Sequence, residues 1–557
     1  MVDLGKNPTM LFLRFVILFI ILLNFYNVSA QKKTSVENLR RPKLVVGIVV
    51  DQMRSDYIER YWDKLGNGGF KKLMNDGFNC KNAKYNYVPT YTGPGHASIY
   101  TGTTPCLHGI IANDWYNRLN DSSVYCVQDD DVQTIGAPGK AGKMSPKNLL
   151  VTTITDELRL ATNFKAKVFG VSMKDRGSIL PSGHSANAAY WFDAGTGNFI
   201  TSSFYMNDLP EWAKNWNNKK IANEYLSKPW NTLYPIAQYT ASTVDDTPYE
   251  QPYSKETRPV FPYDLPKLRK ENFELLRRTP FGNTVTKEFA GEIIKNEKMG
   301  EDDITDFLTI SFSCTDYVGH QFGTNSIETE DTYLRLDKDL EEFINQLDSD
   351  IGKGNYLIFL TADHAAIQNP KYLSDHKIPA GLFDIKKVKE ELNLFMTNTY
   401  GEGKWISDLD NDQVYFNKSL MVSKTLDLDK VADKVASFLM DFKGVSNTIT
   451  VKTLEENEFR NGIKNLVQNG FNHKRSGDVI IILEPGLIEY GITGSTHGSA
   501  YSYDTHIPLL WYGWNIKSGS SIEQVFITDI APTLSMLLNI EFPNGCTGKP
   551  IEFLFKP

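Results

Sequence analysis

Only nine histidines occur in 557 residues, and three of them, together with three aspartates, follow apolar, strand-like runs. Asp51 closes residues 44–50, Asp316 and His320 follow 307–312, and Asp363 and His364 follow 356–361. His497 stands in a Gly-Ser-Thr-His-Gly segment beyond 479–483. In an open α/β sheet, ligands bind outside the carboxyl ends of the strands, so these are positions where a site forms. Any one of these aspartates alone reads more readily as a helix cap or turn former. Together they make a donor set. Asp316 and His320, four apart, share a face if their segment is helical, whereas the adjacent Asp363 and His364 converge only in a turn. Imidazole and carboxylate without thiolate suit Zn²⁺ at a catalytic site, with Mn²⁺ or Fe²⁺ as alternatives. Six donors are too many for one open zinc and right for two. Two cations roughly 4 Å apart stabilise the attacking and leaving oxygens of an in-line displacement, which is phosphoryl-transfer chemistry. The histidines His108, His184, His376, His473 and His506 have no comparable setting and read as structural.

A nucleophile is available in Tyr91-Thr92-Gly93-Pro94-Gly95-His96-Ala97-Ser98, where a hydroxyl heads a helix-compatible run. Backbone N–H groups and the helix dipole favour an anion there, and a metal-coordinated Thr92 alkoxide would attack phosphorus. Alternatively Thr92 caps the helix, with His96 packed beneath it; the local sequence leaves both readings open. Lys174 and Arg176 follow residues 168–173, and at i and i+2 of an extended segment they share a face, so both reach one phosphoryl group. In isolation such charges at a strand end are usually solvated. Asn113, in Ile111-Ala112-Asn113-Asp114, is a neutral donor for a further oxygen or else a turn residue.

These residues need a frame to bring them together. Residues 44–50 form a continuous β-branched run that reads as a strand buried on both faces. Similar runs are 168–173, 307–312, 356–361, 479–483 and 508–512. Helical spacing occupies 54–65, 332–347 and 529–538 between them. Alternating buried strands and helices predict an α/β fold with a mostly parallel central sheet and helices on both faces. Residues 195–300, rich in Trp, Tyr, Asn and Pro, and 366–475, charged and weakly periodic, read as cap-like insertions into one catalytic domain spanning 31–557.

Composition narrows the rest. With 41% hydrophobic and 23% charged residues, disorder, collagen-like and coiled-coil classes are excluded. A net charge of −8 argues against a nucleic-acid polymer as partner. Five cysteines without a CxxC pair make neither a disulfide-dense scaffold nor a cysteine zinc site. Residues 1–30 carry Lys6 and Arg14, an eleven-residue apolar run at 15–25 and Val28-Ser29-Ala30, the pattern of a cleaved signal peptide. The run is short of the roughly 20 residues a spanning helix needs. Cleavage near Ala30 takes away Lys6, Arg14 and Asp3, so the mature net charge becomes −9 and the destination is the periplasm or the exterior, without a membrane anchor. The sequence does not read out an oligomeric state, and a monomer is the expectation.

The ordered set Asp51, Thr92-Gly93-Pro94-Gly95-His96, Asp316 with His320, Asp363-His364 and His497 resembles the alkaline phosphatase superfamily across nearly all of residues 40–550. With Val88-Pro89-Thr90-Tyr91 before it and Lys174-Asp175-Arg176 beyond, it is most similar to the phosphate-irrepressible bacterial alkaline phosphatases with a Thr nucleophile, the PafA type. The resemblance implies two Zn²⁺ ions, one held by Asp51, Asp363 and His364 and activating Thr92, the other by Asp316, His320 and His497. It implies a phosphothreonine intermediate on Thr92, with Asn113, Lys174 and Arg176 on the phosphoryl oxygens and phosphate monoesters as substrates. Sulfatases need a Cys-x-Pro-x-Arg segment, which Pro105-Cys106-Leu107-His108 does not match, and the Asp-Ser-Ala of Ser-nucleophile phosphatases is absent. The alternative within the superfamily is a nucleotide pyrophosphatase/phosphodiesterase. A diester carries one charge fewer, so a Lys and an Arg beside the phosphoryl group favour the monoester. A non-catalytic phosphate-binding protein would lack a ligand or the nucleophile, and none is missing.

Overall fold

Residues 44–50 are buried along their whole length, which a strand covered on both faces allows. In the computed structural model, which describes residues 41–555, this run is β1 (Leu44–Val50). The signal-peptide reading of residues 1–30 lies outside the described residues. β2 (Val168–Ser172), β3 (Ala188–Asp193), β4 (Asp306–Phe312) and β5 (Tyr356–Thr361) join β1 in a parallel core of order β5-β1-β4-β2-β3. Antiparallel strands flank it, Leu509–Gly513 beside β5 and Asn198–Ser202 beside β3, in a sheet of eleven strands. The α/β class therefore stands, and the parallel character is concentrated in the middle of a mixed sheet.

Helices cover both faces. α1 (Thr92–Thr101) and α2 (Asp175–Ser182) lie on one, where Tyr100 meets Phe307 and Phe359 with ring centroids 6.1 and 5.8 Å apart. On the other face Phe289 of α3 (Phe281–Asn296) meets Tyr190 edge to face, ring centroids 5.4 Å apart. α4 (Cys314–Phe322) and α5 (Ile327–Leu347) pack against α3. The predicted helix at 332–347 begins five residues earlier, because the Ser326 side chain accepts from Thr329 N–H and caps it. The predicted 54–65 helix is only a turn, Tyr57–Arg60, followed by a 3₁₀ turn at Trp62–Lys64.

Two expectations change with the fold. Val479–Leu483 is a strand, but it belongs to a separate four-stranded antiparallel sheet with Ile406–Asp410, Gln413–Phe416 and Val445–Thr450. That sheet has its own apolar core with the helices Ile385–Tyr400 and Leu428–Leu439, where Phe395 stacks on Phe438 at 4.2 Å. Its elements are small and half exposed, which explains the weak periodicity of residues 366–475. Residues 195–300 are less cap-like than expected: they supply α3 and a strand of the central sheet, Asn198–Ser202, paired on both sides. Their aromatics, Trp230, Tyr253 and Tyr263 among them, bury into the main core rather than shielding a site. All five cysteines are free, Cys314 fully buried. Among the described residues no helix is long and apolar enough to cross a membrane.

Candidate active site

The carboxyl ends of β1, β4 and β5 put Asp51, Asp316 and Asp363 into one buried volume. β1 and β5 are neighbours in register, so the turns leaving them deliver Asp51 and the Asp363-His364 pair side by side. His364 Nε2 lies 3.5 Å from Asp51 Oδ1 and 3.6 Å from Asp363 Oδ2. Asp316 and His320 do sit one turn apart on α4, with His320 Nε2 3.1 Å from Asp316 Oδ1. His497 arrives from a loop and not from a strand exit of the central sheet, because the strand before it lies in the small sheet. Its Nε2 is nevertheless 3.6 Å from Asp316 Oδ1, and its ring stacks on His364 with centroids 3.4 Å apart. All six predicted donors are together. They divide into Asp316, His320, His497 and, sharing Asp316, Asp51 and His364. Asp363 stands at the edge of the second group, its Oδ2 also 3.4 Å from His96 Nδ1.

Thr92 does not cap α1. Tyr91 holds the N-cap position, and Thr92, the first helical residue, turns its Oγ1 to His364 Nε2 at 3.4 Å and Lys174 Nζ at 3.5 Å. His96 does pack beneath it, its Nδ1 donating to Thr92 O and its Nε2 meeting Ser311 Oγ, both at 2.9 Å. Asn113 sits against the start of α1, its Oδ1 accepting from Gly93 N–H at 2.8 Å. The Lys174–Arg176 pair differs from the extended arrangement expected. Lys174 is the N-cap residue of α2 and Arg176 is already helical, so their side chains diverge. Lys174 Nζ lies 2.6 Å from both Asp51 Oδ2 and Asp316 Oδ2. Arg176 Nη1 donates to Tyr125 Oη at 2.9 Å, while its buried Nε has no partner.

Burial and charge set the protonation states. Burial pushes the Asp51 carboxyl up to about 6, with Lys174 opposing and Asp316 adding to the rise. Burial and the neighbouring Asp51 carry Asp363 well above the ordinary range. Burial works against Asp316 as well, but His320 and Lys174 hold its carboxyl well below that range. Burial, with His320 beside it, drops His497 to about 3, and burial with His497 nearby holds His364 well below the ordinary imidazole range.

These groups fit divalent cations. A carbonyl can only accept, so each ring nitrogen facing one carries the proton. His320 Nδ1 faces Ser495 O at 2.7 Å, His497 Nδ1 faces Thr90 O at 2.7 Å and His364 Nδ1 faces Ala365 O at 3.1 Å. His497 and His364, kept neutral by burial, therefore turn a bare Nε2 lone pair toward the carboxylates, the outer-sphere pattern of metal-ligating histidines, while Asp316 favours a proton on His320 Nε2 that a cation would replace. Asp51 Oδ1 and Asp363 Oδ2 are buried with no hydrogen-bond partner. An ionised carboxylate in that state costs several kcal/mol unless a cation or a proton meets it.

Comparison with known proteins bears on this arrangement directly. Residues 45–504 match the family of type I phosphodiesterases and nucleotide pyrophosphatases. The alkaline phosphatase PafA of Elizabethkingia meningoseptica is 48% identical over 94% of this chain and 96% of its own. The chain belongs to the PafA-type enzymes of the alkaline phosphatase superfamily. A protein of Myroides odoratus named a calcium-transporting ATPase is also 48% identical, over 93% of this chain and 95% of its own. The crystal structure of wild-type PafA superposes with a TM-score of 0.90 at 48% identity, covering 93% of this chain and 99% of that one. A PafA variant substituted at a Thr, an Asn, a Lys and an Arg superposes equally well, with a TM-score of 0.90 at 47% identity over 92% and 99% of the two chains.

Several supports of this PafA-type site were not legible beforehand. Gln52 donates from Nε2 to Asp316 Oδ1 at 2.7 Å and from its backbone N–H to Asp363 Oδ1 at 3.1 Å. It does so with φ at 62°, a left-handed conformation that costs a non-glycine residue about 1 kcal/mol or more. Gly319 on α4 is required by the same contact, since a Cβ there would overlap Gln52 Oε1. Gly95 likewise lets α1 approach the backbone carbonyl of Asp363. Tyr125 orients Arg176 and also donates to Asp175. A polar residue directly after a strand-terminal Asp was the only signal for Gln52; Tyr125 left none.

Proposed function

We propose that the protein is an exported two-zinc alkaline phosphatase that hydrolyses phosphate monoesters through Thr92. The observation that carries this reading is the position of Thr92 Oγ1 at a helix N-terminus, 3.5 Å from Lys174 Nζ and 3.4 Å from His364 Nε2, beside six metal-type donors. The substituted PafA variant supports the same assignment. Its Thr and Asn stand 21 positions apart and its Lys and Arg two apart, as Thr92 and Asn113, and Lys174 and Arg176, do here.

Asp51, Asp363 and His364 would hold one cation and Asp316, His320 and His497 the other. Bound there, two Zn²⁺ ions supply fixed positive charge and lower the pKa of a hydroxyl or a water. The chain's own residues do the rest. Thr92 Oγ1 attacks phosphorus as the ester oxygen departs, leaving the phosphoryl group on Thr92; water then displaces Thr92 and releases orthophosphate. The Asn113 side-chain N–H, Lys174 and Arg176 take the non-bridging oxygens. Burial keeps His364 neutral, so its Nε2 presents a lone pair rather than a proton on the side of Thr92 Oγ1.

A diester offers one fewer oxygen charge to Lys174 and Arg176, so the monoester is the better substrate. The family's phosphodiesterase members make the opposite preference the second reading. Turnover of an aryl phosphate against its methyl aryl diester decides between them, and faster diester cleavage would reject the monoesterase. In this reading residues 366–475, whose small sheet is completed by Val479–Leu483, are an insertion into one catalytic domain. The leader is removed near Ala30, and the mature enzyme works as a monomer in the periplasm or outside the cell, with no membrane anchor.

A further inference from the structure

Tyr91 and His497 also line a cleft of about 150 Å³ between the small sheet and residues 496–504. Its charge is one-sided: Asp412, Glu489 and Asp504 line it, and no lysine or arginine does. Aliphatic side chains such as Ile480, Ile482 and Leu487 form the remaining wall.

Asp412 reaches the cleft on the turn joining Ile406–Asp410 to Gln413–Phe416. Asn411 and Asp412 have φ of 52° and 57°, the conformation of a tight two-residue hairpin. That turn is tied to the reaction centre, since Asn411 Nδ2 donates to the backbone oxygen of Asp114, next to Asn113, at 2.9 Å. Tyr91, next to Thr92, forms another boundary, its ring 5.7 Å from that of His497. The cleft is thus bounded by the neighbours of a predicted nucleophile, a phosphoryl-oxygen donor and a metal ligand.

Two oxygens in it lack partners. Asp412 Oδ1 is buried without a hydrogen bond. Asp504 is 1% exposed; its Oδ2 accepts from Ser499 N–H at 2.9 Å, and its Oδ1 is buried and unpaired. Arg54, outside the lining, offsets Asp504 in part, but burial still pushes both carboxyls up to about 7. Unpaired buried carboxylate oxygens facing an apolar wall attract a positive charge, and Tyr91 and Tyr501 offer aromatic rings to the same cation.

We propose that this cleft is the leaving-group subsite, and that it selects phosphate monoesters whose alcohol carries a cationic nitrogen on an apolar or aromatic body. The inference rests on the phosphatase reading above and names the substrate class of that site. The same carboxylates repel alcohols that bear further phosphates or carboxylates.

The test uses the zinc-loaded enzyme and three para-substituted aryl monoesters: 4-(2-aminoethyl)phenyl phosphate, 4-propylphenyl phosphate and 3-(4-phosphonooxyphenyl)propanoate. Their charges sit away from the ring, so the leaving phenols are matched in reactivity. The cation is expected to exceed the neutral ester about fivefold to thirtyfold in kcat/KM, with the anion slowest. In the double variant Asp412→Asn, Glu489→Gln the cation-to-neutral ratio should fall toward one. A flat or reversed order, or a cation preference that survives in the double variant, overturns the subsite. A reversed order would direct the leaving group instead to the cleft holding Lys270 and Arg278. Hydrolysis of none of the three would overturn the phosphatase reading itself, and the subsite with it.

Discussion

The two donor groups are built from different parts of the fold and are covered differently. Asp51, Asp363 and His364 hang from adjacent parallel strands and have side chains that are 0% exposed. Asp316, His320 and His497 come from a helix and a loop, and the His320 side chain is 24% exposed. Strand ends locked in register hold the first group against the nucleophile. In the second group His320 alone is partly exposed, with the Asp316 and His497 side chains at 4% and 5%. In the proposed mechanism rigidity would lie where the bond to Thr92 forms, and access where small molecules exchange.

The largest effect should come from the nucleophile. Thr92→Ala is expected to lower kcat on an aryl phosphate by about 10⁴-fold or more while two zincs per chain remain, measured by steady-state kinetics and metal analysis. Residual turnover near the parent rate would remove Thr92 from the chemistry. Chelation should then separate the groups: zinc leaves the exposed His320 group before the buried His364 group, seen as two phases of release with activity lost in the first. A single concerted phase would dissolve the distinction. Next, Arg176→Ala should cost about 10- to 100-fold in kcat/KM on the monoester and clearly less on the diester, since a charge-assisted hydrogen bond is worth about 1.5–3 kcal/mol. Equal losses on both would show that Arg176 does not read the second phosphate charge.

The smallest effect is on stability. Burial holds the Asp51 carboxyl at about 6 in the fold, above its ordinary 3.8. Between those values the folded state binds more protons than the unfolded chain, so raising the pH weakens the metal-stripped protein. Its melting temperature should fall as pH rises from about 4 through 6 and level off above that. Zinc should flatten the slope by supplying the missing positive charge. A melting temperature that climbs across this window in the stripped protein would contradict an Asp51 carboxyl raised by burial.

Much of this site was readable from residue order. Asp51, Asp363 and His364 were found because long apolar runs end at them, and such runs become strands wherever they fall. Asp316 and His320 were found because four-residue spacing survives in any helix. His497 was reached by an argument that held only in part, since period-two patterning cannot say which sheet a strand joins. Lys174 and Arg176 were identified, but their directions were not. Whether a strand ends before a charged pair or a helix begins between them depends on a cap geometry that nothing nearby announces.

What residue types and spacing determined alone was the chemistry on offer: imidazole and carboxylate donors, a hydroxyl heading a helix, cations two apart, and a frame of buried strands. Tertiary structure decided which oxygens stay unpaired. Gln52 bridging Asp316 to Asp363, Gly319 making room for it, and a hairpin tip lodged beside Asn113 are contacts between residues far apart in the chain. The energy of a buried charge depends on everything packed around it, and local sequence carries no record of those neighbours.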